Sequence, residues 1–85
     1  MNSIVKRVKH MEKCMEMVEA ALRKGEMHTV RRQIRTLRTY MESGQWLADY
    51  EADERGEFPA GMKRGVLSQD GLYDLLAETD KRRGG

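Results

Sequence analysis

The sequence predicts an all-α fold built on an antiparallel helical hairpin. Three observations predict it. Apolar residues recur at Ile4, Val8, Met11, Met15, Val18 and Leu22, the heptad-like spacing that seals one helix against another. A second stripe follows at Met27, Val30, Ile34, Leu37 and Met41. One unbroken helix through both segments would carry Gly25, Thr29, Arg32, Thr36 and Thr39 on its seam. Those residues are small or polar and seal nothing, so the chain must double back near Gly25.

The first helix is expected over about residues 3–24. Ser3 is placed to cap its start, although no Glu or Gln three residues later completes a capping box. Lys24 suits a helix C-terminus, and Gly25 tolerates the left-handed conformation that ends helices. The second helix spans about 27–42 and stops at Ser43-Gly44. Trp46, Leu47 and Tyr50 stand at helical spacing and predict a short third helix over about 45–54. Arg55–Gly61 reads as a loop, broken by Gly56, Pro59 and Gly61. The last helix is expected over about 69–82, with Ser68 as its N-cap and Asp70 in its first turn. Leu67 and Leu72 are spaced as a hydrophobic staple, and Leu72, Leu75 and Leu76 form its buried face. The tail from 82 to 85 is expected to fray. The whole chain, 1–85, reads as one small helical domain.

Composition narrows the function. Charged residues make up 35% of the chain, yet the net charge is only +2. Residues 1–42 hold ten Lys/Arg against five acids, residues 43–62 one against five, and residues 63–85 five against four. The chain is polarised rather than basic, a weak profile for a nucleic-acid binder. No apolar run approaches the ~18 residues of a membrane span. The segment MNSIVKRVKHMEK lacks the apolar core of a signal peptide. The single cysteine, Cys14, cannot form an internal disulfide, which fits a reducing compartment. A cytoplasmic protein without membrane contact is therefore expected.

Each chemically suggestive cluster has a plainer reading beside it. On the second helix, Arg31, Arg35 and Arg38 fall on one side with His28, and Arg32 is adjacent. Clustered arginines bind phosphates and carboxylates, so Arg31, Arg32, Arg35 and Arg38 are the candidate anion or nucleic-acid contacts. The plainer reading, which weighs more, is a structural or solvated face: it pairs Glu19 with Arg31 and Glu12 with Arg38 across the hairpin and leaves Arg32 and Arg35 uncommitted. No aromatic residue interleaves with this stripe to stack bases.

The acidic run Asp49, Glu51, Asp53, Glu54 and Glu57 opens like a calcium loop. The required sixth Gly and twelfth Glu are replaced by Glu54 and Ala60, so no metal is expected. His10, Cys14 and His28 lack an orienting group and match no zinc spacing, so no catalytic residue is expected. KRGVLSQDG matches no phosphate loop, and no cofactor is expected. Methionines on the seams read as core filler. Even so, a two-helix hairpin carries more apolar seam than it can bury alone. Either the C-terminal segment covers that seam or a second copy does, as a homodimer.

Residues 40–78 carry a denser pattern: an aromatic and a Ser before W-L-x-D, then E-x-D-E-x-G, a Pro, and K-R-G-V-L-S-x-D-x-x-Y-x-L-L. Trp46, Leu47, Asp49, Glu51, Asp53, Glu54, Gly56, Pro59, Lys63–Ser68, Asp70, Tyr73, Leu75 and Leu76 match it. In these residues the chain resembles a family of short bacterial proteins classed only as a domain of unknown function. Residues 1–39 share only its general character, and the resemblance implies no activity. Read physically, Trp46, Tyr50, Leu67 and Tyr73 are structural anchors, with Val66, that lock this segment onto the hairpin. Asp49, Asp53, Lys63 and Arg64 are not needed for that packing and form the candidate contact surface. Asp70 could join them, besides its place at a helix start.

The expected function is a non-catalytic helical interaction or regulatory module with a protein partner. One alternative is a nucleic-acid accessory protein using the arginine stripe. Another is an inhibitor of a host enzyme encoded by a mobile element. An enzyme is not expected, because no acid–base pair, triad or cofactor loop can be assembled.

Overall fold

The structure, a computed structural model, describes residues 3–68 and 70–84. Its helices are α1 (Ser3–Lys24), α2 (Arg31–Glu42), α3 (Gln45–Glu54) and α4 (Gly71–Gly84), with 3-10 turns at Met27–Val30 and Gly65–Leu67. No strand occurs among the described residues.

The hairpin turns where the broken stripe requires. At the end of α1, Gly25 takes φ 72°. Its N–H donates to the Leu22 carbonyl at 3.3 Å, and the Glu26 N–H reaches the Ala21 carbonyl at 2.9 Å. This pair of bonds is the Schellman closure, which needs a left-handed residue after the C-cap. Arg23 and Lys24 in the last turn of α1 complement the negative end of its dipole. The chain then enters α2 through the 3-10 turn, whose Thr29 hydroxyl donates to the Glu26 carbonyl at 2.8 Å.

α1 packs most extensively against α2. Val8, Met15 and Val18 from the first stripe and Val30, Ile34 and Leu37 from the second are buried. Ile4, Met11, Leu22, Met27 and Met41 lie half-buried at the margin of the same cluster. Cys14, Ala21 and Tyr40 are buried as well, so each helix hides a face wider than a two-per-heptad seam. The extra width meets the C-terminal half: Val66, Leu67, Leu72, Leu75 and Leu76 are all buried in this cluster. Each such side chain contributes about 1.5–3 kcal/mol on leaving water. α4 and the turn before it close the seam within one chain, and a second copy is not required to cover it. Thr79 is also fully buried; its hydroxyl is satisfied by the Leu76 carbonyl at 2.7 Å.

The start of α4 departs from expectation. Ser68 is extended, at φ −66° and ψ 143°, and α4 begins only at Gly71. The Asp70 carbonyl accepts the first helical bond, from the Asp74 N–H at 2.9 Å, so Asp70 holds the N-cap position in place of Ser68. Gly71 sits where a Cβ would strike the Ser68 hydroxyl, with the Gly65 carbonyl at 3.5 Å and the Met15 methyl at 3.6 Å. A glycine lets α4 start hard against α1 and the preceding turn. α4 then runs through 82–84 instead of stopping at 82, and Gly85 lies outside the described residues.

Candidate binding groove

Three of the four residues expected to form a contact surface are bound into the fold, and the fourth is weakly paired. Asp49 is completely buried. Arg7 on α1 reaches it with both arms of its guanidinium, Nε to Oδ2 at 2.9 Å and Nη2 to Oδ1 at 2.5 Å. The Tyr40 hydroxyl on α2 donates to the same carboxylate at 2.7 Å. Asp49 on α3 thereby ties three helices together and cannot meet a partner. The Asp49 carboxylate holds the Arg7 guanidinium above its ordinary pKa. The Tyr40 phenol is pushed well above its own, by burial first and then by the bond to Asp49.

Asp53 and Arg64 pair with each other at 2.8 Å. Arg64 also donates to the Pro59 carbonyl at 3.1 Å, which pins the 55–64 loop against α3. Lys63 is exposed and reaches Glu16 of α1 at 3.5 Å. These residues do not converge on one surface.

The anchors divide in the same way. Trp46 donates its indole N–H to the Val66 carbonyl at 2.9 Å and stacks on Tyr50 with ring centroids 5.2 Å apart. Leu67 is buried, but Tyr73 is 65% exposed and anchors nothing. It stands over a small hollow of about 220 Å³ between α2 and α4, beside Met41 and Leu76.

The arginine stripe does not form the pairs expected across the hairpin. Glu12 does not meet Arg38: its carboxylate accepts the Val66 N–H at 2.8 Å, because the Gly65–Leu67 turn packs against α1. Arg38 pairs instead with Asp80 of α4 at 2.7 Å. Glu19 and Arg31 form no ion pair among the described residues. The expected interhelical pairs are thus replaced by contacts to elements that arrive later in the chain.

Freed from α1, the stripe lines a concavity. His28, Arg31, Arg35 and Arg38 line one side and Arg82 of α4 also contributes, with Met27 and Ile34 as apolar lining. Its volume is about 630 Å³, and no acidic residue lines it among the described residues. Arg38 lines both this groove and the Tyr73 hollow, so the two adjoin at the Arg38–Asp80 pair. Arg82 is paired with Glu78 at 3.2 Å. Arg31 and Arg35 are exposed and have no ion pair among the described residues. Arg32 is exposed but does not line the groove. A third hollow, between α1 and the Pro59–Lys63 segment, sets Lys9, Lys13 and Lys63 against Glu12 and Glu16, so its charges nearly cancel.

Nothing of this kind surrounds Cys14. Its thiol is buried, pushed up from its ordinary pKa by desolvation, with His10 Nε2 at 3.8 Å. A nucleophilic thiol needs the opposite shift. No group of three or more metal-ligating side chains comes together among the described residues, and no helix among them is long and apolar enough to cross a membrane.

The family model for a domain of unknown function, DUF4298, matches residues 1–82. The chain belongs to the DUF4298 family. No curated protein matches it, and no solved structure does. In this DUF4298 chain the dense 40–78 pattern is largely internal. Its first aromatic, Tyr40, and its Asp49 are hydrogen-bond partners. Its Trp46 holds the backbone of its own Val66, and its Asp53 and Arg64 are paired. The description of DUF4298 carries no activity, so the groove's own chemistry is the guide to function.

Proposed function

We propose that this DUF4298 chain is a non-catalytic interaction module that binds an acidic protein partner in the α2–α4 groove. The observation that carries this reading is one concavity lined by four arginines and His28, without an acid among its lining residues. Arg31 and Arg35, without a salt bridge among the described residues and beside the paired Arg38 and Arg82, favour a carboxylate-bearing guest, and arginine binds carboxylates with two parallel hydrogen bonds. Met27 and Ile34 in the lining give such a guest an apolar contact that a bare anion would not use. The buried, raised thiol of Cys14 supports a binding role over a catalytic one. One buried cysteine is at home in a reducing cytoplasm, the compartment we assign.

The test places a photo-reactive amino acid at Arg35 and, as a control, at exposed Glu51 on α3. On illumination in cells expressing the chain, position 35 yields a discrete protein adduct and position 51 does not. The adduct disappears when Arg31 and Arg38 are changed to Glu. Adducts to nucleic acid alone, or none from position 35, would overturn the proposal.

A further inference from the structure

Resting on that reading, the geometry points to a definite occupant: a short acidic amphipathic helix of a partner protein, whose carboxylate takes the place of Asp80 on Arg38. Arg31, Arg35 and Arg38 are spaced by four and then three residues. They cover about 10 Å of one α2 face at 1.5 Å per residue. Carboxylates four and three residues apart on a second helix repeat with the same period, so two turns of such a helix match the stripe side chain for side chain. The apolar face of the same guest meets half-buried Met27, an adaptable surface. Beyond Arg38 it meets Met41 and exposed Tyr73. Tyrosine is among the side chains that most often carry binding energy at interfaces. A nucleic-acid strand would use the arginines but not the apolar lining. Among the groove's described lining residues no Phe, Tyr or Trp is there to stack its bases.

Asp80 is the internal stand-in. Its carboxylate is half-exposed, and it pairs with Arg38 at 2.7 Å at the junction of the two hollows. A pair that open to water is weak and exchanges readily for a guest carboxylate that brings apolar contacts with it. Asp80 therefore competes with the partner, and its removal tightens binding.

Fluorescence anisotropy on the full chain tests this with three probes of equal net charge. They are a peptide with Glu at i, i+4 and i+7 and Leu on the adjoining face, a scramble of it, and a thymidine oligonucleotide. We expect the amphipathic peptide to bind about tenfold or more tightly than the other two. Asp80→Asn strengthens it about two- to fivefold, the range of a weak exposed pair. Arg31→Glu with Arg35→Glu abolishes it while the circular dichroism spectrum is unchanged. Equal binding of peptide and scramble, or tighter binding of the oligonucleotide, overturns the helical occupant but leaves the groove as a binding site. No binding by any probe also overturns this occupant, while the groove itself is judged by the cross-link at position 35. Unchanged or weaker binding by Asp80→Asn overturns the competition.

Discussion

Replacing Arg7 with Met strips the buried Asp49 carboxylate of its cation and of two of the three hydrogen bonds it receives from side chains. Asp49 is completely buried, and only the Tyr40 hydroxyl would remain to face it. Breaking a buried pair from one side costs about 3–5 kcal/mol, because the remaining charge loses its compensation. The Arg7 side chain is 30% exposed, so water approaches one edge of the site and the expected cost is near the lower end, about 3 kcal/mol. A chain of 85 residues is held by roughly 4–13 kcal/mol in all, at about 0.05–0.15 per residue. The substitution therefore removes a quarter or more of the stability. With a urea dependence of about 1–3 kcal/mol per molar, the unfolding midpoint should fall by about 1–3 M. Trp46 fluorescence and far-UV circular dichroism would follow it. Asp49→Asn alone should also be costly, since its amide presents a donor to the donors of Arg7 and Tyr40. The double variant should cost clearly less than the sum of the two, with a coupling of about 2 kcal/mol. A loss below about 1 kcal/mol for Arg7→Met, or strict additivity in the cycle, would show that the three helices are not tied through this carboxylate.

Alkaline titration should single out Tyr40. Its phenol is raised in the folded state and ionises in the unfolded chain near pH 10. Its contribution is therefore fully present below about pH 10 and declines above it, by up to about 1.4 kcal/mol per pH unit; the stability gap between wild type and Tyr40→Phe should narrow above pH 10. Gly25→Ala finds open space around the new methyl but must hold φ 72°. A loss of about 1–2 kcal/mol in urea unfolding is expected, and no loss would contradict the Schellman closure of α1. Cys14, buried and raised, should react with an aromatic disulfide reagent at least about tenfold more slowly in buffer than in urea; equal rates would place the thiol at the surface.

Legibility in the sequence followed the range of the interaction. Helix periodicity is local, and the stripes from Ile4 to Leu22 and from Met27 to Met41 therefore foretold α1, α2 and the turn at Gly25. Trp46 and Leu67 were equally readable as anchors, because large apolar side chains have few other places to go. The charged residues were not. Asp49 lies in an acidic run that looks solvated, and its partner Arg7 is 42 positions away, where no spacing rule reaches. Tyr40 carried a faint signal: it stands three residues after Leu37 on the α2 core face, but the heptad count runs through Met41 beside it. Tyr73 misled in the other direction. An aromatic in an apolar helix reads as core, yet Leu72, Leu75 and Leu76 already fill the buried face of α4. That arrangement turns Tyr73 outward.

The error over the arginines has the same origin and bears most on function. A two-helix hairpin considered alone must pair its flanking charges with each other, which assigns Glu12 to Arg38 and Glu19 to Arg31. Adding the C-terminal half changes the competition. A backbone N–H that becomes part-buried needs an acceptor more than an exposed guanidinium needs a counter-ion, since the first loses water and the second keeps it. Glu12 accordingly turns to Val66, and the cations of α2 are left to whatever α4 brings. α4 brings Asp80 to Arg38 and little else, while Arg31 and Arg35 face the groove without a salt bridge among the described residues. Acids that satisfy buried groups of their own chain are lost to a partner, as Asp49 and Glu12 are. Cations that keep their water and lack a salt bridge remain available to one. The groove on α2, rather than the denser pattern at 40–78, is therefore where the proposed partner is to be sought.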